Sequence, residues 1–374
     1  MIEPFEFHRE LERYGLKFFT GVPDSLLKDL CAYITDHVAP QDHVVNANEG
    51  AAVAMAAGYH LGTGRVGVVY LQNSGLGNAI NPLTSLADAG VYAIPMLLII
   101  GWRGEPGVAD EPQHQVQGQI TPDLLDTLSL PYEVIGPETQ DPGAVLARLA
   151  ETARGESRPV ALLVRAGTFA EYPQRPPKVA GFTRAGAVRC VLDALDPDDV
   201  LVSTTGMTSR EVFAEREARG QGHDRDFLTV GSMGHASQVA LGLAGSGRRV
   251  VCLDGDGAVI MHMGSLAIIG TQAPRNLVHV VINNAAHDSV GGQPTAAATI
   301  DLPAIALACG YRSAESAGSA DAAAAAFARL REGPGPTFLE IKVASHPHTD
   351  AGRPISAPRE NKVALMRALG SEPG

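Results

Sequence analysis

The sequence is short of positive charge. Its 374 residues carry 29 Lys and Arg against 41 Asp and Glu, a formal charge of −12 with a pI near 5.4. Such a chain repels the phosphates of nucleic acid and anionic membrane surfaces, and neither is expected as a partner. Cysteine is scarce as well. Cys31, Cys190, Cys252 and Cys309 are scattered, without the paired spacing of a zinc site or the density of a disulfide scaffold. Three of them fall in apolar or helical patterns, which points to buried free thiols and a cytoplasmic location. The first residues lack a basic region followed by a long apolar run, and no apolar stretch reaches membrane-spanning length, so no signal peptide or membrane anchor is expected. The Gly-x-Gly-x-x-Gly turn of dinucleotide-binding folds is missing too. Gly255-Asp256-Gly257 runs on into Ala258-Val259-Ile260, and a dinucleotide reading fails there.

What remains is ordinary globular composition, 45% hydrophobic and 19% charged, in a length that suits two domains of roughly 180 residues. Apolar runs of strand length alternate with helical patterns. The alternation predicts strands near 16–21, 43–46, 66–71, 94–100, 134 and 160–164, with helices at 25–34, 51–61, 79–86 and 144–149 between them. Residues 101–119 are polar and rich in Gly and Pro, and read as a long loop of the kind that carries function. A Pro-rich charged stretch, 173–183, reads as a linker. The alternation then resumes: helices at 184–195, from 209, 235–243, 259–270, 302–308, 322–330 and 359–369, and strands at 200–203, 228–230, 250–253, 277–282 and 337–342. Each half is therefore expected to be an α/β domain with a doubly wound parallel sheet. The boundaries are 1–172 and 184–374.

The second half holds the most specific pattern. An apolar strand runs into Asp254-Gly255-Asp256-Gly257, a helix follows, and a second apolar strand ends in Asn283-Asn284. A parallel crossover puts both strand ends on one sheet edge, so Asp256 and Asn284 converge. A carboxylate and an amide oxygen are hard ligands suited to Mg²⁺, which takes its remaining ligands from water and phosphate. The glycines let backbone approach a diphosphate at the N-terminus of a helix.

Gly255-Asp256-Gly257 followed by Asn283-Asn284 resembles the cofactor motif of the thiamine diphosphate (ThDP) enzymes. The resemblance implies that Asp256, Asn284 and the backbone of Ala286 hold Mg²⁺, and that Gly255, Gly257 and Ala258 line the diphosphate. Thr205 and Gly206 stand where the family often contacts that group. Gly231-Ser232-Met233 resembles the segment that bends the cofactor, with Met233 as an apolar wedge beneath it. Asn48-Glu49-Gly50, at the start of an Ala-rich helix, resembles the site of the catalytic glutamate, which holds the pyrimidine ring nitrogen. By the same resemblance the first half is the pyrimidine-binding domain and the second the diphosphate-binding domain. The active site then forms between subunits of at least a homodimer.

Many relatives carry a middle domain for which this chain has no room. That points to the short decarboxylases of small anionic 2-oxo acids, 3-phosphonopyruvate or sulfopyruvate. Segments 20–25, 101–106, 110–114 and 283–293 look like the phosphonopyruvate enzymes, though the first and last are less discriminating. Candidate contacts to the anionic substrate are a helix N-terminus at Asp24-Ser25, together with Arg103, His114 and His287. Either histidine is a candidate proton donor. A carboligase of acetolactate type and a non-catalytic regulatory protein are the competing classes.

Overall fold

In the computed structural model, residues 1–173, 181–345, 352 and 357–372 are described. Most of the stretch read as a linker, 174–180, lies outside them. The chain divides into two compact units, Met1–Arg175 with Val290–Gln293, and Pro176–Ser289 with Pro294–Gly374.

The first unit contains β1 (Phe19–Gly21), β2 (His43–Val45), β3 (Gly67–Gln72), β4 (Met96–Gly101), β5 (Tyr132–Ile135) and β6 (Pro159–Val164). They pair in parallel in the order β2-β1-β3-β4-β6-β5. The second unit contains β7 (Val200–Ser203), β8 (Asp226–Leu228), β9 (Val250–Gly255), β10 (Leu277–Asn283), β11 (Ser313–Ala317) and β12 (Thr337–Lys342). Its order is β11-β12-β10-β9-β7-β8, again parallel. Read from the opposite edge, the second sheet has the strand order of the first. Two sequences without a visible repeat therefore build one topology twice.

Alternate residues of each central strand feed opposite cores. Val68 and Tyr70 face one apolar cluster and Val69 and Leu71 the other. Val251 and Leu253 are likewise separated from Val250 and Cys252. Burial on both faces is why these strands read as unbroken apolar runs. Among the described residues no helix is long and apolar enough to cross a membrane.

Several elements depart from the sequence reading. The helix Pro112–Thr127 takes up the second part of the expected 101–119 loop. Pro112 opens it, where a missing N–H costs nothing, and the Trp102 indole donates to the Gly118 carbonyl at 2.9 Å. The single helix expected at 259–270 is two, Asp256–Met261 and Gly264–Gln272, broken at His262 with φ −133° and ψ 50°. The edge strand Ser313–Ala317 is half-exposed and small-sided, so it carries no apolar run. The helix Pro4–Arg13 buries only Pro4, Phe7, His8 and Leu11. None of the cysteines forms a disulfide; Cys31 and Cys252 are buried, whereas Cys190 and Cys309 are half-buried.

Candidate active site

In both sheets the strand order changes direction beside the first strand, between β1 and β3 and between β7 and β9. At the C-terminal ends of such strands the outgoing loops diverge and leave a crevice. The residues singled out from the sequence follow these strand ends.

In the second unit, β9 and β10 pair with Ile282 opposite Gly255. Asp256 and the Asn283-Asn284 pair thus leave one sheet edge side by side. β9 runs to Gly255 and Asp256 begins the helix directly. Asp256 is 3% exposed, and its Oδ2 accepts the Thr295 hydroxyl at 2.5 Å. Burial pushes its carboxyl up to about 6, opposed by the bonds from Thr295 and the Gly257 N–H. The two asparagines have opposite fates. Asn283 turns inward and donates to Glu340 at 2.7 Å. The Asn284 amide nitrogen donates to Asp288 at 2.5 Å. Asp288 also accepts Ser345 at 2.7 Å and the Arg184 guanidinium at 3.3 Å, and Arg184 is paired with Glu211 at 3.0 Å.

Gly257 is needed as glycine. A Cβ there would lie 2.8 Å from His287 Cε1 and 3.4 Å from Met233 Cε. His287 and Met233 thus both rest on the start of the helix that Asp256 opens. Burial lowers His287 to about 4, so its ring is neutral at pH 7. Thr205 and Gly206 follow β7, and Gly206, at φ 89°, precedes the helix Met207–Ala218. Gly231, Ser232 and Met233 follow β8. Behind the edge, the Asp254 carboxylate accepts the Gly255 N–H at 2.9 Å, with His279 at 3.5 Å and Tyr311 beyond it on the imidazole at 3.0 Å.

In the first unit, Glu49 is the first residue of the helix Glu49–Thr63, whose N-cap Asn48 accepts the Ala51 N–H. Glu49 is 5% exposed. Burial raises its carboxyl above the ordinary value, with a bond from Asn78 opposing; Asn78 donates to Oε2 at 2.8 Å. A Cβ on Gly75 would come within 2.3 Å of Glu49 Oε1. Neither Gly75 nor Asn78 was singled out in advance. Their only signal was the glycine-bearing turn after β3.

The other expected residues of this unit gather around one aspartate. Asp110 accepts the Arg103 Nε at 2.8 Å and a second guanidinium N–H, the Gly104 and Glu111 N–H groups at 2.8 and 2.7 Å, and contacts His114 Nδ1 at 2.9 Å. Burial alone would raise this carboxyl; Arg103, His114 and the two amides outweigh it and hold it well below the usual range. Arg103 also donates to Ser25 Oγ at 2.7 Å. Its charge is therefore matched by Asp110. Asp24 is fully buried and pushed up to about 6 by that burial. The expected helix N-terminus at Asp24-Ser25 is not there. The Leu26 N–H donates to the Asp24 carboxylate at 3.0 Å and the Leu27 N–H to the Asp24 carbonyl at 3.2 Å, and the helix starts at Lys28.

The residues fit a cation bound together with a diphosphate. Asp256, the Asn284 side chain and the Ala286 carbonyl offer only oxygen, as a hard cation requires. The buried Asp256 has no basic ion-pair partner among the described residues. These features define an α/β enzyme built to hold a phosphorylated cofactor. Its first half, residues 7–127, matches the thiamine pyrophosphate enzyme N-terminal TPP binding domain, and residues 205–341 match the C-terminal TPP binding domain. The chain belongs to the thiamine pyrophosphate enzyme family, and thiamine diphosphate is its cofactor.

Its relatives are named decarboxylases. A phosphonopyruvate decarboxylase of Streptomyces viridochromogenes is 38% identical over 92% of this chain and 89% of its own length. One from Streptomyces hygroscopicus is 37% identical over 100% and 95%. A sulfopyruvate decarboxylase of Methanosarcina acetivorans is 28% identical over 86% of each chain.

Proposed function

We propose that this chain is a ThDP- and Mg²⁺-dependent decarboxylase that converts 3-phosphonopyruvate to phosphonoacetaldehyde and CO₂ in phosphonate (antibiotic) biosynthesis, working in the cytoplasm as a homodimer or larger homo-oligomer. The observation that carries the substrate is the 37–38% identity to two phosphonopyruvate decarboxylases along nearly the whole chain. In this reading the pyrimidine-binding domain spans 1–172 and the diphosphate-binding domain 184–374. Glu49 of one subunit serves the cation site of another.

Asp256, Asn284 and the Ala286 carbonyl hold Mg²⁺. Gly255, Gly257 and Ala258, with Thr205 and Gly206, receive the diphosphate at helix starts. Met233 and the Gly231-Ser232 backbone support the ring system. When bound, the cofactor supplies the electron sink for loss of CO₂. Glu49, whose carboxyl burial raises above its ordinary value, holds a proton at the pyrimidine nitrogen. His287 is neutral at pH 7 and can receive or return a proton beside Gly257. His114 is oriented by Asp110 through Nδ1, which leaves Nε2 to meet substrate. Because Arg103 is matched by Asp110, it serves the dianionic substrate as an oriented donor more than as net charge.

The test is aldehyde formation from 3-phosphonopyruvate and from sulfopyruvate, each with ThDP and Mg²⁺ and with either omitted. Turnover of phosphonopyruvate that needs both cofactors is the expected result. Preference for sulfopyruvate would move the substrate to the sulfonate. No turnover of either, with ThDP still bound, would overturn the decarboxylase reading.

A further inference from the structure

The loop after β10 returns onto the residue that begins the helix after β9. The chain leaves β10 at Asn284, turns through Ala285 at φ 56°, and comes back at Pro294, which bridges Ala286 in antiparallel fashion. The Thr295 N–H donates to the Ala285 carbonyl at 3.0 Å. Thr295 is 8% exposed. Its hydroxyl donates to Asp256 Oδ2 at 2.5 Å and accepts the Ala297 N–H at 3.3 Å. The residue is thus fixed by three neighbours: its hydroxyl proton is committed to Asp256, one of its lone pairs is used by Ala297, and its backbone is tied to Ala285. A β-branched residue is also stiff about χ1.

We propose that Thr295 is a positioning residue of the cation site. It fixes the rotation of the Asp256 carboxylate and locks that carboxylate to the loop bearing Asn284 and Ala286, so that ligands from two strand ends keep one mutual geometry. The inference rests on the reading of Asp256 and Asn284 as cation ligands. Partners of this outer kind typically contribute about 10–100-fold in metal affinity. Serine keeps the hydroxyl; valine keeps the shape and loses the donor.

The experiment compares cofactor-free wild type with Thr295→Val and Thr295→Ser. ThDP is titrated calorimetrically at a series of Mg²⁺ concentrations, and the melting temperature of each cofactor-free chain is recorded. The expected result is that Thr295→Val raises the Mg²⁺ needed for half-maximal ThDP binding about 10–100-fold, while Thr295→Ser stays within about threefold of wild type. If Thr295→Val melts well below wild type, Thr295→Cys, a much weaker donor of serine's size, is read in its place. An unchanged Mg²⁺ requirement in the donor-less variant overturns the inference, as does a Thr295→Ser chain equally impaired. ThDP binding by wild type that ignores Mg²⁺ removes the cation site itself, and is told apart because it is seen before any substitution.

Discussion

The two units share a strand order and spend it differently. The second places its buried carboxylate, Asp256, directly after the third strand of its sheet, among oxygen donors and glycines. The first places Asn73 there, bonded to Thr121 and to the Arg103 backbone. Its two most deeply buried acids follow other strands: Asp24 after the first and Glu49 after the second. A doubly wound sheet thus fixes where loops diverge without fixing which loop carries the charge. One unit gathers oxygen donors around a buried carboxylate. The other buries two carboxyls and raises both above their ordinary values.

That contrast can be broken most directly at Glu49. Glu49→Gln is expected to lower decarboxylation by about 10²–10⁴-fold, the usual contribution of a positioned acid–base group, while ThDP binding, proposed above for the second unit, changes little. Steady-state rates and calorimetry on one preparation check this; parallel losses of binding and rate would mean the units do not divide the work. A smaller loss is expected from Gly75→Ala. The added methyl falls 2.3 Å from Glu49 Oε1 and must displace it, and misplacing a reacting group by about 1 Å costs up to roughly 10²-fold. Gly77→Ala, with nothing within 4 Å of the new carbon, is the control and should leave the rate unchanged.

The smallest expected effect is on stability. Asp24 rises from an ordinary 3.8 to about 6 by burial. A folded-state pKa above the unfolded one means that the native state binds the extra proton, so stability falls as pH climbs from about 4 to about 6. Above that window the buried charge costs roughly 3 kcal/mol. Asp24→Asn should therefore stabilise the chain by about 2–3 kcal/mol at pH 7.5 and by almost nothing at pH 4, as read by denaturant melts. The gain should be indifferent to Mg²⁺, whereas any cost of ionising Asp256 should be offset by the cation.

Much of this was legible in residue order. The long apolar strands were readable because both faces of each sheet are buried. The Asp256–Asn284 pair was readable because a parallel crossover brings two distant strand ends to one edge. What escaped lay in side chains whose partners are far away in sequence. Asn78 meets Glu49 across 29 positions and Thr295 meets Asp256 across 39; only a glycine-bearing turn hints at the first, and nothing local marks the second. The reading of Asp24-Ser25 as a helix start failed for a related reason. The Leu26 and Leu27 N–H groups are taken by the Asp24 side chain and carbonyl, and the helix opens only at Lys28.

The adjacent asparagines carry a consequence of parity. Successive residues of a strand face opposite ways, and here the step from Asn283 to Asn284 is the step from core to edge. Adding or removing one residue in β10 would reverse that alternation, turning Asn283 away from Glu340 or drawing the half-buried Asn284 inwards in its place. A change of two residues would keep the alternation while shortening or lengthening the strand. The permitted lengths of this strand therefore come in even steps, a constraint set by two side chains at its end and felt along its whole run.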